Sequence, residues 1–436
     1  MTLHYDEMIK DGLVDSRVYS DPQVFEDELE RIFYGGWVFM AHESEIPQRG
    51  DYVRRNIGLE PWVVVRLPDG GVRVLSNRCT HRGTLLLQPE KGNVRATITC
   101  WYHGWVFGLD GSLKAVPYPV GSKSLEHKSL PVARVGNYRG FIFATVNPDA
   151  EDFDDYLGRG KELIDRAVEA SPVGKVRLDA GWVKFYYKTN WKLQAENNID
   201  GYHLNYVHAS LGRAIDSRYV EATMVGETRL KTLTRDWGNG HSELELGPGF
   251  ENDLEWLGYT GAKKMPPPIE AYRQQLRDAY EPAIAERMIH DGPPHAFIFP
   301  NLFLAETNVV FYQMSDAGQC IQLHTPMLLE GVADEVNTRI LRLCEAALGP
   351  TSFFLPDDGV ITERQQQSFA GRPINVDLRR GLGREEINAN GVLESHITDE
   401  TTNRAFWNHY RAVMAKPGDR NAAPSPTAPH ERVAAE

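Results

Sequence analysis

Two short pairs of cysteine and histidine offer the clearest metal-binding chemistry in this sequence. Cys79 and His81 are separated by one residue, and Cys100 and His103 are separated by two. Together the pairs could bind Zn²⁺ in a tetrahedron, or a [2Fe–2S] cluster with sulfur ligands on one iron and nitrogen ligands on the other. Zinc fingers usually pair cysteine with cysteine and histidine with histidine. The mixed pairs therefore favour the cluster, and zinc is the alternative.

A second set of possible ligands lies in a segment whose pattern predicts one helix over residues 191–206. Asp200 and His203 are three residues apart and would share one face of that helix. His203 and His208 are five apart and would diverge by about 140° on an ideal helix. The helix must therefore end or distort between them if both histidines bind one metal. This spacing differs from that of His-Glu-x-x-His zinc proteases, whose histidines are four residues apart.

A carboxylate is needed to complete such a site. Asp357 and Asp358 stand at the start of a predicted amphipathic helix, where acidic residues also commonly cap the helix and complement its dipole. Two histidines and one carboxylate form the facial triad that leaves open positions on Fe(II) for O₂ and a co-substrate. Both aspartates are candidates for the third ligand.

Composition excludes several classes of protein. The 436 residues carry a formal net charge of -13, which would repel a phosphate backbone, so we expect no nucleic-acid partner. The sequence start lacks the features of a signal peptide, and no apolar stretch of about 18 residues occurs, so we expect a cytoplasmic protein without membrane association. The remaining cysteines, Cys320 and Cys344, are not part of a short pair with a histidine or a second cysteine, and they are predicted to be inert core residues.

Two domains of different type are predicted to position these ligands. Residues 1–37 are expected to form a helical segment, capped by Asp21, that packs with the second domain. Residues 38–150 contain short β-rich runs, such as those at 62–65, 72–75 and 141–144, separated by turns, which is typical of a compact all-β domain. Residues 151–415 mix helices with strands, among them strands around 308–314 and 320–327, without regular alternation, which predicts an α+β domain. Residues 416–436, rich in Pro and Ala, are predicted to be a disordered tail.

Four motifs give the chain a resemblance to a known family. The sequence has Cys-x-His-Arg-Gly at 79–83 and Cys-x-x-His-Gly-Trp at 100–105. It also has Glu-Asn-x-x-Asp-x-Tyr-His-x4-His at 196–208 and Asp-x4-Glu at 358–363. In these motifs it resembles the large (α) subunit of Rieske non-haem iron ring-hydroxylating oxygenases of the aromatic-ring dioxygenase type. The resemblance implies an α+β fold, with an all-β Rieske [2Fe–2S] domain and a helix-grip catalytic domain in which helices pack on an antiparallel sheet.

The resemblance also implies two cofactors in each subunit. The [2Fe–2S] cluster would be bound by Cys79, His81, Cys100 and His103. The mononuclear Fe(II) would be bound by His203, His208 and Asp358, with Glu363 as the trailing acid of the last motif.

Asp200 has a separate role in the family pattern. The resemblance implies that it bridges a histidine of the mononuclear site and a cluster-binding histidine, the partner subunit's His103. Such a link would fix the imidazoles and couple electron and proton transfer between the metals. It requires a functional oligomer, and we expect a head-to-tail homotrimer, with a small β subunit as a further candidate component.

The implied activity is that of a terminal oxygenase. Electrons from NAD(P)H would arrive through a reductase or ferredoxin and, with O₂, serve to hydroxylate a small apolar or aromatic substrate. Dihydroxylation of an aromatic ring is the first expectation, and similarity of regions 42–44 and 196–203 to aromatic-acid dioxygenases makes an aromatic carboxylate a candidate. Monooxygenation or oxidative demethylation is the alternative on the same site. A zinc-dependent hydrolase and a pure electron carrier are the alternatives from other classes.

Six positions are expected to line the substrate pocket, although all of them would also suit a protein core. They are Asn197, Asn198, Phe297, Asn301, Leu302 and Phe311.

Overall fold

The computed structural model describes residues 3–118, 128–209, 232–246, 267–350, 352 and 354–416. The larger of two compact units contains Met1–Glu28 and Asp154–Lys416, and the smaller contains Leu29–Phe153. The predicted disordered tail lies outside the described residues from 417 onward. The predicted domain boundaries stay a prediction.

The secondary structure of the described residues comprises short strands and helices. The strands are β1 Ile9–Lys10, β2 Leu13–Asp15, β3 Val38–His42, β4 Asp51–Ile57, β5 Glu60–Arg66, β6 Val72–Ser76, β7 Lys91–Asn93, β8 Thr97–Thr99, β9 Val106–Gly108, β10 Leu113–Ala115, β11 Val132–Tyr138, β12 Phe141–Thr145, β13 Val176–Arg177, β14 Val183–Tyr187, β15 Leu233–Gly238, β16 His241–Glu245, β17 His295–Ile298, β18 Leu302–Ala305, β19 Asn308–Asp316, β20 Gln319–Pro326, β21 Leu328–Leu329, β22 Asn375–Asp377, β23 Glu386–Ile387 and β24 Leu393–His396. The α-helices are α1 Tyr5–Met8, α2 Pro22–Glu28, α3 Phe153–Leu157, α4 Gly160–Val168, α5 Trp191–Asn198, α6 Leu204–Val207, α7 Pro267–Ala279, α8 Pro282–His290, α9 Asp334–Leu348, α10 Leu355–Phe369 and α11 Thr401–Met414. A π-helix covers Leu29–Phe33, and 3₁₀ helices cover Ser16–Tyr19 and Glu43–Glu45.

The smaller unit is built from antiparallel strands. Its main sheet has the order β3-β12-β11-β6-β5-β4-β7, and a second sheet has the order β10-β9-β8. The β-branched and aromatic runs predicted as strands at 62–65, 72–75 and 141–144 lie within β5, β6 and β12. These strands are largely buried, and they enclose a core that also contains both thiols of the Cys-His pairs.

The larger unit is an antiparallel sheet with helices packed on it. The nine strands that the structure describes in this sheet run in the order β14-β20-β19-β18-β17-β16-β15-β24-β23. The predicted α+β fold class, with an all-β domain and a helix-on-sheet catalytic domain, is confirmed. Asp21 accepts a hydrogen bond from the Gln23 N–H at 2.9 Å, as expected for the cap of α2. Within the described residues, no helix is long and apolar enough to cross a membrane.

Helix α5 is held over the sheet by a buried aromatic and ionic cluster. The ring of Phe406, on α11, lies 6.0 Å from that of Trp191, on α5, and 5.9 Å from that of Phe297, on β17. Buried Glu28 accepts hydrogen bonds from the Trp191 indole N–H at 3.0 Å and from the Lys192 ammonium at 2.5 Å. A buried carboxylate is stable only when paired in this way, so the N-terminal segment fixes where α5 begins.

The prediction of one continuous helix over residues 191–206 is wrong. Helix α5 ends at Asn198, and the separate one-turn helix α6 follows only after His203. Helix α5 is buried on nearly all sides. Its sequence therefore lacks an amphipathic pattern whose end would mark where the helix stops.

Candidate metal centres

The two Cys-His pairs lie on loops of matching backbone geometry. The Cys79 N–H donates to the Thr84 carbonyl at 2.8 Å, and the Cys100 N–H donates to the Trp105 carbonyl at 2.8 Å. Each loop then turns through a glycine four residues after its cysteine, where φ is +74° in Gly83 and +70° in Gly104. Residues other than glycine rarely adopt a positive φ of this size, which explains the glycine in each motif.

The thiols and the imidazoles of these loops occupy different depths. Cys79 and Cys100 are buried in the core and form no disulfide, whereas His81 is exposed. The rings of His81 and His103 lie 4.5 Å apart, and the Trp105 indole stacks on His81 at 4.7 Å. The two loops thus bring two thiols together inside the unit and two imidazoles together at its surface.

The surroundings of the thiols fit a cluster that carries negative charge on sulfur. Burial raises the pKa of the Cys79 thiol, and the neighbouring Cys100 raises it further. The backbone N–H groups of His81 and Arg82 point at the Cys79 sulfur and act in the opposite direction, because they favour the thiolate. Adjacent unoxidised thiols with backbone donors aimed at sulfur match the donor set of a [2Fe–2S] centre.

The end of α5 is fixed by side chains from the sheet and from α11. The carbonyls of Asn198 and Ile199 accept from His295 Nε2 at 3.1 Å and from the Thr402 hydroxyl at 2.6 Å. Asn403 donates to the Glu196 carbonyl at 3.3 Å. The last carbonyls of a helix have no partner within the helix, so these three bonds determine where α5 stops. The backbone is thereby fixed immediately before Asp200.

Helix α10 is held against α5 by hydrogen bonds one turn beyond Asp358. Gln194, on α5, donates to the Thr362 hydroxyl at 2.7 Å, and that hydroxyl donates to the Asp358 carbonyl at 2.9 Å. Glu363 accepts from the Lys188 N–H at 2.9 Å, just before α5. The trailing acid of the last motif therefore holds the backbone, while Asp358 faces the histidines.

His203, His208 and Asp358 come together at one point. One potential ligand atom from each lies within 4.8 Å of the other two. Asp358 Oδ1 is 3.5 Å from His203 Nε2 and 3.2 Å from His208 Nε2. Among the described residues the group that could hold a metal contains Asp358 and does not contain its rival, Asp357.

The electrostatics of this group favour a cation. Burial alone would raise the pKa of Asp358, but the two imidazoles outweigh burial and lower that pKa to about 2. Burial alone would lower the pKa of His203, but the carboxylates of Asp200 and Asp358 raise it to about 10. Asp358 Oδ1 is buried, and its contacts within the described structure fall short of hydrogen-bond geometry. A buried anionic oxygen facing two imidazoles fits Fe(II) ligation.

Asp200 lies on the other side of His203. Its Oδ2 is 3.7 Å from His203 Nδ1, whereas Nε2 of that ring faces Asp358. Its Oδ1 accepts from the Tyr202 N–H at 2.5 Å, which orients the carboxylate. Asp200 therefore contacts the nitrogen of His203 that is directed away from the candidate metal position.

The three candidate ligands line one side of a cavity of about 110 Å³. Its wall is largely apolar and includes Leu244, Phe303, Val310 and Phe354. An apolar cavity with few polar groups suits a hydrophobic small molecule.

Two of the six predicted wall positions, Asn197 and Asn198, line this cavity. The four predicted sheet positions are absent from the described wall, and other sheet residues take their place. The polar ones that sequence reasoning missed are His295, Glu306, Thr307, Asn308 and His324. The strands are apolar on both faces, so their pattern did not show which face bounds the cavity.

Comparison with known proteins decides the family. A family model described as "Ring hydroxylating alpha subunit (catalytic domain)" matches residues 167–416, which is more than half of the chain. The chain belongs to the ring-hydroxylating α-subunit family. A second model, "Rieske [2Fe-2S] domain", matches residues 36–131 of this α subunit. The predicted resemblance is confirmed, and so are the two cofactors, a Rieske [2Fe–2S] cluster and a mononuclear iron.

The α subunit has named relatives along most of its length. It is 29% identical over 418 residues to the toluate 1,2-dioxygenase subunit alpha of Pseudomonas putida, covering 87% of this chain and 86% of that subunit. It is 28% identical to the large oxygenase component of the naphthalene 1,2-dioxygenase system of the same species, covering 91% and 90%. A solved structure of naphthalene 1,2-dioxygenase with indole bound in the active site matches with a TM-score of 0.82, 25% identity and 95% coverage of both chains.

Proposed function

We propose that this α subunit is a terminal oxygenase that dihydroxylates an aromatic ring. The observation that carries the proposal is the group of His203, His208 and Asp358 at the wall of a largely apolar cavity, in a chain that also has two matched Cys-His loops. We assign those three residues as ligands of the mononuclear iron. We assign the cluster to the four residues of the loops, Cys79, His81, Cys100 and His103.

The two metal centres and the side chains around them have separate roles in the proposed reaction. The iron, when bound, supplies the chemistry of O₂ activation, and the cluster supplies single electrons. Asp200 lies 3.7 Å from Nδ1 of His203 and attracts that side of the ring, while Nε2 faces Asp358 and the metal position. The apolar wall binds the ring and excludes water. Asp358 contributes a fixed negative charge that keeps the iron in place.

The electron donor and the assembly are further parts of the proposal. An NAD(P)H-dependent reductase or a ferredoxin would deliver electrons, and because these donors are cytoplasmic the proposal places the enzyme in the cytoplasm. Asp200 is partly exposed, with 24% of its side chain accessible, which leaves it available to the partner subunit's His103. This arrangement supports a head-to-tail homotrimer, with a small β subunit as an optional component.

The substrate class follows from the wall and from the relatives. The relatives named above act on toluate and on naphthalene, so both an aromatic carboxylate and a neutral ring are candidates. In the described part of the wall there is no lysine or arginine, whereas Asp200, Glu306 and Asp358 are acidic. This charge balance favours a neutral aromatic ring as the first substrate to test.

A single-turnover reaction tests the proposal without a partner protein. The reduced holoenzyme is mixed with naphthalene and ¹⁸O₂, and the product is analysed by mass spectrometry. We expect a dihydrodiol with two labelled oxygen atoms, whereas a product with one labelled oxygen would indicate monooxygenation.

His203→Ala should yield no product and retain the cluster spectrum. Asp200→Asn should retain both metals and form product at least tenfold more slowly, because coupling to the cluster is lost.

A matched control uses a histidine outside the site. His290, on α8, has 62% of its side chain exposed and lies outside the cavity wall, so His290→Ala should react like the wild type. Continued turnover by His203→Ala would overturn the assignment of the mononuclear site.

A further inference from the structure

One face of the sheet in the larger unit forms a continuous wall of the cavity. Phe303, on β18, lies opposite Val310, on β19, and Val310 lies opposite His324, on β20. Residues directly opposite in antiparallel strands point to the same face. All three line the cavity, so His324 stands on the same wall as the apolar residues that would contact a ring.

His324 differs from two other histidines of this sheet, His241 and His295. His241 contacts the Tyr156 carbonyl through Nε2 and accepts from the Phe299 N–H at Nδ1, both at 3.1 Å. His295 contacts the Asn198 carbonyl at 3.1 Å. Both nitrogens of His324 are buried and have no hydrogen-bond partner anywhere in the described structure. A buried histidine that only supports the fold usually has its nitrogens paired, as both nitrogens of His241 are, so unpaired nitrogens that face a cavity point to a ligand.

Asn308 adds a second polar atom to the same wall. It lies two residues before Val310 on β19, and therefore on the same face, and it lines the cavity. Its Oδ1 is buried and likewise lacks a partner within the described residues. The wall thus presents an imidazole and an amide oxygen to a molecule in the cavity.

The charge of the site limits what these groups can bind. Burial lowers the pKa of His324 to about 3, so its imidazole is neutral at physiological pH. A neutral imidazole has one donor and one acceptor, which matches a hydroxyl or an amino group better than a carboxylate. The acidic residues of the described wall also disfavour an anion there.

We propose that His324, together with Asn308, binds an uncharged hydrogen-bonding substituent of the aromatic substrate and so selects both the substrate and its orientation. The inference rests on the proposed function, because it assumes an aromatic ligand in this cavity. It makes His324 a specificity-determining residue, and it identifies the preferred substrate class as hydroxyl- or amino-substituted aromatic rings.

Ligand binding tests the proposal separately from catalysis. Naphthalene, 2-naphthol and 2-naphthoate are titrated into the anaerobic holoenzyme, and the dissociation constants are obtained from the ligands' fluorescence. The wild type should bind 2-naphthol about tenfold more tightly than naphthalene, the gain expected from one buried hydrogen bond. His324→Leu should abolish this ratio, and His324→Asn, which keeps a hydrogen-bonding side chain, should restore part of it.

Gln322 provides the matched control. It lies two residues before His324 on the same face of β20, and both of its amide atoms are buried without a partner in the described structure, yet it does not line the cavity. Gln322→Leu should keep the wild-type ratio. A ratio that is unchanged in His324→Leu, or tighter binding of 2-naphthoate than of 2-naphthol by the wild type, would overturn the proposal.

The two proposals fail in different ways. Binding with the expected ratio but without oxidised product in single turnover would refute the oxygenase function and support the role of His324 in binding. Oxidation of naphthalene by an enzyme that binds 2-naphthol no more tightly would leave the function standing and refute the role of His324.

Discussion

The residue after Asp358 determines how closely α10 approaches the sheet. Gly359 lies in the first part of α10 and faces the buried ring of Tyr187, on β14. A Cβ atom built on Gly359 would lie 2.5 Å from Tyr187 Cε1, which is far inside van der Waals contact. The glycine therefore allows Asp358 to reach the two histidines.

Gly359→Ala should weaken iron binding by Asp358. In a helix, alanine is normally more stable than glycine by about 1 kcal/mol, but here the added methyl group must displace Tyr187 or shift α10. We expect a lower melting temperature and loss of the mononuclear iron, with the cluster retained, as measured by thermal unfolding and by iron analysis. Gly318→Ala is the control, because the nearest atom to its Cβ would be 3.8 Å away. Full iron content in Gly359→Ala would contradict this account of α10.

The candidate ligands were easier to predict from sequence than their surroundings. Residue type and spacing indicated the two histidines and left Asp357 and Asp358 open, the resemblance to the family implied Asp358, and the structure brings Asp358 together with both histidines. His324 was not identified, because nothing in a buried apolar strand distinguishes an unpartnered histidine from a satisfied one. Which of them has a partner depends on residues distant in sequence, as with His241 and the carbonyl of Tyr156.

The elements around the site show where local pattern succeeds and where it fails. The strands predicted around 308–314 and 320–327 correspond to β19 and β20, because residues 309–312 are a short β-branched and aromatic run and residues 321–324 alternate between apolar and polar. The helix predicted over 191–206 stops at Asn198, because its end is set by Thr402, Asn403 and His295 from elsewhere in the fold. Tertiary hydrogen bonds of this kind have no local signature in the sequence.

His241, on β16, should make the free energy of unfolding depend on pH. His241 is fully buried, and burial lowers its pKa from 6.5 to about 4, while the nearby His409 is also kept neutral by burial. The unfolded chain therefore binds more protons than the native chain below pH 6.5, so the contribution of His241 is present above that pH and is lost toward pH 4. At pH 5.5 the loss from this one group is on the order of 1 kcal/mol.

We expect the unfolding free energy of the wild type to fall more steeply between pH 7.5 and 5.5 than that of His241→Asn, which keeps an acceptor but cannot be protonated. Urea denaturation at both pH values measures the difference between the two slopes. Equal slopes would show that His241 does not titrate between the folded and unfolded states.

At the scale of the whole molecule, the sequence contained the two-domain plan and the family resemblance, and both are confirmed. The motifs carry this information because each metal demands its own ligand types and spacing. The oligomeric assembly cannot be predicted in the same way, because it depends on complementary surfaces that no short motif encodes. The homotrimer and the role of Asp200 across subunits therefore stay predictions.

One chain holds a Rieske cluster and a separate mononuclear iron, and both can be measured in the same sample. The most direct measurement is metal analysis combined with visible and EPR spectra of the anaerobically purified protein, before and after reduction, for the wild type, Cys100→Ser and His203→Ala. We expect about three irons per wild-type chain, two from the cluster and one mononuclear. We also expect loss of the cluster spectrum in Cys100→Ser, and loss of about one iron with an unchanged cluster spectrum in His203→Ala. A colourless, zinc-containing wild-type protein would contradict the presence of both iron sites.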